Sequence, residues 1–159
     1  MKICPMTEAD CEKTGLLMKE CFSVPWSVEG LKEMFHTEGY CSFLAKEEEE
    51  VIGYVGMKMV LDEADITNVA VLPSHRKKGI AGKLLKQLLE EAKKQNLHSI
   101  YLEVRASNIA AVTLYEHAGF KEVGQRRIIT IIRGKMQDLC SGRHKDASSY
   151  QYFLSYFFV

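Results

Sequence analysis

The stretch that most restricts what this chain can fold into is a strand-like run, Ile66-Thr67-Asn68-Val69-Ala70-Val71-Leu72. It stops at Pro73 and passes through Ser74-His75-Arg76-Lys77-Lys78-Gly79 into Ile80-Ala81-Gly82-Lys83. Beyond it, Leu84, Leu85, Leu88, Leu89 and Ala92 recur at helical spacing. A small-residue turn between a strand and a helix leaves backbone N–H groups open at the helix start, where the helix dipole adds positive potential. Such a turn suits an anion, above all a phosphate or pyrophosphate. Arg76, Lys77 and Lys78 add charge of the right sign. A basic surface loop leading into an ordinary helix has the same appearance.

The 159 residues, 47% hydrophobic and 26% charged, are enough for a single domain over 1–159 with a real core. Its 21 basic and 21 acidic residues cancel, so no global field draws in a nucleic acid. A local patch can still hold one phosphate ligand. Met1-Lys2-Ile3-Cys4-Pro5 lacks the apolar run of a signal peptide, and no stretch of about 18 apolar residues is present. The expectation is a cytoplasmic protein with no membrane contact. Five cysteines, Cys4, Cys11, Cys21, Cys41 and Cys140, form no CxxC pair. They are expected to be reduced packing residues, with no metal site. Nothing in the pattern fixes an oligomeric state.

Periodicity and capping residues set the expected order of elements. Lys2–Pro5 reads as a strand, and Thr7 with Asp10 as the capped start of a helix reaching about Cys21, with Leu16, Leu17 and Met18 on its apolar face. Ser27 caps a second helix through Phe35. Strands come next at Tyr40–Lys46, Val51–Val60 and Glu63–Val71, and the four glutamates Glu47–Glu50 form a solvated turn. Gly79 to about Gln95 is a helix, Ser99–Val104 a strand, Asn108–His117 a helix and Phe120–Ile132 a strand. Tyr150–Val159 is aromatic and extended in character. This order implies an α/β (α+β) sheet with helices on both faces.

A second constellation lies in Tyr101-Leu102-Glu103-Val104-Arg105-Ala106-Ser107-Asn108, followed by Leu114-Tyr115 and Ala118-Gly119-Phe120. Strand alternation puts Ile100, Leu102 and Val104 on one face and Tyr101, Glu103 and Arg105 on the other. Asn108 can cap the next helix. Tyr115 lies two turns further on and can face the same side. Taken alone, Glu103 also reads as a surface carboxylate beside a cation, and Tyr115 as a packed helix aromatic.

Together the two segments resemble the GNAT acetyltransferase superfamily. Arg76-Lys77-Lys78-Gly79-Ile80-Ala81 looks like its Arg/Gln-x-x-Gly-x-Gly/Ala acetyl-CoA signature. "DITNVAV", "LEVRASNIAAVTLYEHAGF" and "CFSVPWS" are similar to the RimI-like branch, the ribosomal-protein-alanine N-acetyltransferases. The likeness runs from about Ile3 to Arg127. It implies a mixed, twisted sheet split between two central strands, with acetyl-CoA as co-substrate and no metal.

The resemblance also implies roles. The pyrophosphate would bind the backbone of Lys77, Lys78, Gly79, Ile80, Ala81 and Gly82, with Arg76 and Lys83 nearby. The pantetheine would pair with Val69, Ala70 and Val71, where a backbone N–H could polarise the thioester carbonyl, and Asn108 would reach the pantetheine. Glu103 would be the general base and Tyr115 the general acid. The acceptor would be the N-terminal alanine of a small-subunit ribosomal protein. Phe22, Pro25 and Trp26 would flank its entrance, with Trp26 either lining the peptide groove or belonging to the core. Alternatives are a small amine or lysine side chain as acceptor, or an acetyl-CoA-binding protein with impaired catalysis.

After Arg127 the family pattern breaks off. RimI-like chains continue with a segment resembling Arg-Asn-Tyr-Tyr-x-x-Pro-x-Glu-Asp-Ala, where this chain reads Ile-Ile-Thr-Ile-Ile-Arg-Gly-Lys-Met-Gln over 128–137. One codon set for that run is ATT ATT ACA ATA ATC CGA GGG AAG ATG CAG. With a single A in front it becomes AAT TAT TAC AAT AAT CCG AGG GAA GAT GCA, which encodes Asn-Tyr-Tyr-Asn-Asn-Pro-Arg-Glu-Asp-Ala. The implied event is a one-base deletion near the Arg127 codon, leaving 128–159 as an out-of-frame tail. The alternative is a natively divergent tail.

Overall fold

The computed structural model describes residues 1–127, 130–132, 135–137 and 150–157. They group into two compact units, Met1–Ile100 and Tyr101–Phe157.

The first unit is built on an antiparallel sheet of β1 (Lys2–Pro5), β2 (Tyr40–Glu47), β3 (Glu50–Val60) and β4 (Glu63–Val71), adjacent in that order. The glutamate run makes the β2–β3 turn, with Glu48 in the left-handed region at φ 53°. Leu61 at φ 56° makes the tip between β3 and β4. The helices are α1 (Cys11–Cys21), α2 (Val28–His36) and α3 (Ile80–Lys94). Helix α3 buries the stripe Ile80, Leu84, Leu85, Leu88 and Ala92, as its sequence period requires. It crosses close over β3: a Cβ on Gly53 would lie 2.9 Å from Leu84 Cδ1 and 3.2 Å from Ile80 Cγ2. Helix α1 packs on β3 and β4, and α2 packs on α1. Tyr54 and Leu44, paired across β2 and β3, are fully buried.

The chain leaves this unit along β5 (Ser99–Arg105). In the second unit α4 (Ile109–His117) is followed by β6 (Lys121–Arg127), which pairs antiparallel with β9 (Tyr150–Phe157) in a register from Lys121↔Ser155 to Arg127↔Tyr150. β9 lies between β5 and β6. Two short strands, β7 (Thr130–Ile132) and β8 (Lys135–Gln137), pair with each other.

Three expectations are adjusted. Thr7 and Asp10 do make a reciprocal cap, but Thr7 leads into one 3₁₀ turn, Glu8–Asp10, and α1 itself begins at Cys11. Leu16 is 63% exposed, because the buried stripe of α1 runs through Cys11, Thr14, Gly15, Leu17 and Met18. Within the single strand expected over Phe120–Ile132, the described residues give β6 over Lys121–Arg127, while 130–132 pair with β8 rather than with β9. Of the tail whose reading frame is in question, residues 128–129, 133–134, 138–149 and 158–159 lie outside the described residues.

Asp10 ties the helical layer to the sheet. Its Oδ2 accepts from the Thr7 N–H at 2.9 Å and the Thr7 hydroxyl at 2.8 Å, and Lys46 Nζ on β2 donates to Oδ1 at 2.6 Å. Burial pushes this carboxyl up, but the Lys46 ammonium and the Thr7 donors together outweigh it and hold its pKa below the ordinary value. A carboxylate depressed on folding adds stability above its unfolded pKa, about 3.9, and loses that contribution as pH falls through the folded value. Asp10→Asn should therefore lose roughly 1–3 kcal/mol at pH 7, with the difference from the parent closing below about pH 4. Urea unfolding of both proteins between pH 3 and 7 measures this.

Candidate active site

The β4–α3 turn is held by its backbone. Pro73 opens a 3₁₀ turn over Pro73–His75, closed by His75 N–H to Leu72 O at 2.8 Å and Arg76 N–H to Pro73 O at 3.3 Å. Lys77 at φ 60° and Gly79 at φ 75° then reverse the chain through the left-handed region. Gly79 stands at the N-cap of α3 with no capping side chain, and a Cβ placed on it meets nothing within 4 Å. Among the described residues, no acceptor pairs with the backbone N–H groups from Lys77 to Gly82. Lys77, Lys78, Gly79, Gly82 and Lys83 are exposed, Ala81 is half-buried, and the Ile80 side chain anchors the turn in the core. These are the donor set and the open space that an anionic group at a helix start requires.

Arg76 has a second job. Its Nε donates to the carbonyl oxygen of Val71 at 3.1 Å, and the Cys21 thiol donates to the same oxygen at 3.4 Å. The end of β4, the start of the loop and the end of α1 thus meet at one carbonyl. Burial pushes the Cys21 thiol pKa up, and the neighbouring Arg76 only partly offsets it. His75 braces the loop from the other side: its Nδ1 lies 2.9 Å from Ser74 Oγ, and its Nε2 lies 3.4 Å from a carboxylate oxygen of Glu47. Cys21 was not a candidate from sequence, since its partner is 50 residues away.

Val69, Ala70 and Val71 pair with Val55, Tyr54 and Gly53 of β3. Just before them the register slips: Gly56 opposes Asn68 and Met57 opposes Ile66, so Thr67 is an extra residue, a β-bulge. A glycine inside the strand, Gly56, was the sequence signal for it.

In the second unit Glu103 and Arg105 are exposed on one face of β5, while Leu102 and Val104 are buried on the other. Asn108 caps α4, its Oδ1 accepting from the Ala111 N–H at 3.3 Å. Tyr115 lies in the last turn of α4, whose end is closed by two backbone bonds, Gly119 N–H to Glu116 O and Phe120 N–H to Tyr115 O, both 3.0 Å. With Gly119 at φ 96° this is a Schellman ending, and its usual apolar contact is made by Phe120 edge-on to the Tyr115 ring, centroids 5.8 Å apart. Tyr156 of β9 backs Phe120 at 5.5 Å. Burial pushes the Tyr115 phenol up to about 12, so it stays protonated through the physiological range. Phe22, Pro25 and Trp26, in the α1–α2 connection of the first unit, are half-buried, and Val24 between them is 85% exposed.

Residues 13–120 match the Acetyltransferase (GNAT) family. The chain belongs to that family. It is 36% identical over 128 residues to the [ribosomal protein bS18]-alanine N-acetyltransferase of Haemophilus influenzae, covering 80% of this chain and 86% of that protein. Among solved structures it is similar to the ribosomal-protein-S18-alanine N-acetyltransferase from Escherichia coli, with TM-score 0.78, 27% identity, and 97% and 91% of the two chains covered. The fold is also that of yncA, a putative acetyltransferase from Salmonella typhimurium solved with its cofactor acetyl-CoA: TM-score 0.79, 19% identity, 99% and 93% covered. This is a GNAT N-acetyltransferase fold of the RimI-like kind.

The ending of α4 is directly testable. Gly119→Ala puts a side chain at φ 96° and a Cβ 3.0 Å from the Tyr156 ring. It should destabilise the protein by about 1–2 kcal/mol, whereas Gly119→Asn, which tolerates this conformation better, should lose less. Thermal unfolding of the two variants gives the order.

Proposed function

We propose that this chain transfers an acetyl group from acetyl-CoA to the α-amine of an N-terminal alanine on a small-subunit ribosomal protein, in the cytoplasm. The observation that carries the acetyl-CoA part is the uncapped start of α3 at Gly79, with its run of N–H donors from Lys77 to Gly82. The acceptor part is supported by the likeness to proteins named for that alanine.

In this reading the pyrophosphate takes the amides of Lys77–Gly82, with Lys77, Lys78 and Lys83 supplying charge around it. Arg76 contributes chiefly by tethering the loop. The pantetheine pairs with the β4 backbone at Val69 and Ala70; Val71 closes the loop, since its carbonyl already accepts two donors. A β4 N–H polarises the thioester carbonyl, and Asn108, while capping α4, reaches the pantetheine.

The amine must be neutral to attack. A peptide α-amine has pKa near 7.7–8.0, so at pH 7 removing its proton costs only about 1 kcal/mol. Glu103, exposed on β5, takes that proton directly or through a water. The amine nitrogen bonds to the acetyl carbon, and the C–S bond breaks as the tetrahedral intermediate collapses. The leaving CoA thiolate takes a proton from Tyr115, which is held protonated by burial. The surplus proton on the newly acylated nitrogen returns to the Tyr115 oxygen, so the phenol is restored and a neutral amide and CoA thiol are released. No step needs a metal.

Gly79→Asp should weaken acetyl-CoA binding at least tenfold, about 1.4 kcal/mol, by isothermal titration. Unchanged affinity in a folded variant would remove the loop from the site. In a mass-spectrometric assay on an alanine-starting peptide, Glu103→Gln should lower kcat most at low pH, where the amine is most protonated. Tyr115→Phe should lower it evenly across pH 6–9. Each loss is expected at roughly 10²–10⁴-fold. Near-parent rates in both variants would remove these roles. Acetylation of an internal lysine instead of the α-amine would reassign the acceptor.

The tail belongs to the same proposal. Inserting one A before the Ile128 codon should leave acetyl-CoA affinity unchanged, because the loop precedes the break. It should raise the rate on an alanine-starting peptide, because the missing tyrosines rebuild the acceptor wall. Resequencing the gene decides directly: codons over 128–137 that do not encode the Asn-Tyr-Tyr segment in the neighbouring frame would make the tail native.

A further inference from the structure

The Thr67 bulge sits in an unusual chemical setting. Gly56 is flanked across the sheet by Ser42 on β2 and Asn68 on β4. A Cβ on Gly56 would overlap the Tyr54 hydroxyl and lie 2.9 Å from Tyr54 Cζ and 3.1 Å from Thr67 Oγ1. The space that a side chain at 56 would fill is therefore taken by two hydroxyls. Tyr54 is fully buried, with the Thr67 and Ser42 hydroxyls beside its own. Even so, Tyr54 Oη, Thr67 Oγ1 and Asn68 Oδ1 are all buried without a hydrogen bond of good geometry among the described residues.

Two such hydroxyls packed over one glycine work against stability, since each is buried without a bond of good geometry among the described residues. Phenylalanine at 54 and valine at 67 would fill the same volume without that penalty. Bulges re-aim the strand beyond them, and here that strand is Asn68–Val71. At its far end the Val71 carbonyl is fixed by Arg76 and Cys21. At its near end the β3 ladder holds the strand, and the bulge sets the angle at which the next backbone N–H groups leave it.

We propose that Tyr54 and Thr67 are positioning residues for acyl transfer: their hydroxyls, packed over Gly56, hold the bulge that aims the β4 N–H at the thioester carbonyl. This rests on the reading that the Val69–Val71 edge receives the thioester end of acetyl-CoA. Neither side chain touches the substrate. Each acts by setting the angle of a backbone donor, so its loss weakens carbonyl polarisation while the pyrophosphate loop keeps its grip.

The test uses [1-¹³C]acetyl-CoA bound to the full chain. A polarised carbonyl moves its ¹³C resonance downfield from the free value, whether or not the enzyme turns over. Tyr54→Phe and Thr67→Val should bind acetyl-CoA within about twofold of the parent, since the loop is unchanged. They should shift the resonance back toward free, and Thr67→Ser, which keeps the hydroxyl, should restore the parent position. Where turnover is measured, kcat should fall roughly tenfold or more in the first two variants with KM little changed. Tyr54→Phe should be as stable as the parent or more so in urea, which separates positioning from mere support, because a supporting residue would lose stability and rate together. A parent whose bound carbonyl stays at the free value would overturn the thioester-edge reading and this proposal with it. A polarised parent carbonyl that stays polarised in both Tyr54→Phe and Thr67→Val would overturn this proposal alone.

Discussion

Among the described residues, none accepts from the six consecutive backbone N–H groups of Lys77 to Gly82. Folded chains seldom leave such a run open, because each N–H is a strong obligatory donor. Here the cause is local and steric. Left-handed Lys77 and Gly79 reverse the chain at the helix start, and Ile80 pins that start to the core. A capping serine or aspartate at 79 would satisfy some of these donors internally. Glycine leaves them to a ligand and leaves room for it. The surrounding lysines set the sign of that ligand but not its position.

The strand that leads into this donor set, β4, is held at both ends. At one end the Val71 carbonyl gathers Arg76 and Cys21, fixing the loop to the strand and to α1. At the other the Thr67 bulge turns the strand just before it. Between them lie Asn68, Val69 and Ala70, a stretch fixed at both ends. In the second unit the same economy holds Tyr115: backbone bonds that end α4 also bring Phe120 against its ring. Both units use chain reversals rather than long side-chain networks to place chemical groups. Such reversals are specified over a few residues and tolerate change elsewhere.

That locality explains what could be read from the sequence. The period-2 alternation of β5 placed Glu103 and Arg105 on an exposed face, and Asn108 was legible as a cap, because both depend only on near neighbours. The strand–turn–helix order around Gly79 was legible for the same reason. The Val71 carbonyl was not, since Cys21 reaches it from 50 residues away. Nor was the bulge, which exists only relative to the register of β3. Gly56 marked it without saying which residue of β4 would be the extra one. Three apolar residues in a row, Leu16, Leu17 and Met18, cannot all lie on one helix face, and only packing decides that Leu16 is the one to turn outward. The strand expected over Phe120–Ile132 rested on local character alone, which does not specify a partner.

The open amides of the β4–α3 turn are, on this account, an anion site, and backbone ¹⁵N–¹H resonances read it directly. Titrating acetyl-CoA, and separately inorganic pyrophosphate, into the labelled full chain should move the amides of Lys77 to Gly82 downfield and saturably, with the glycines at 79 and 82 among the largest shifts. Saturable binding of acetyl-CoA that leaves those six amides in place would contradict it.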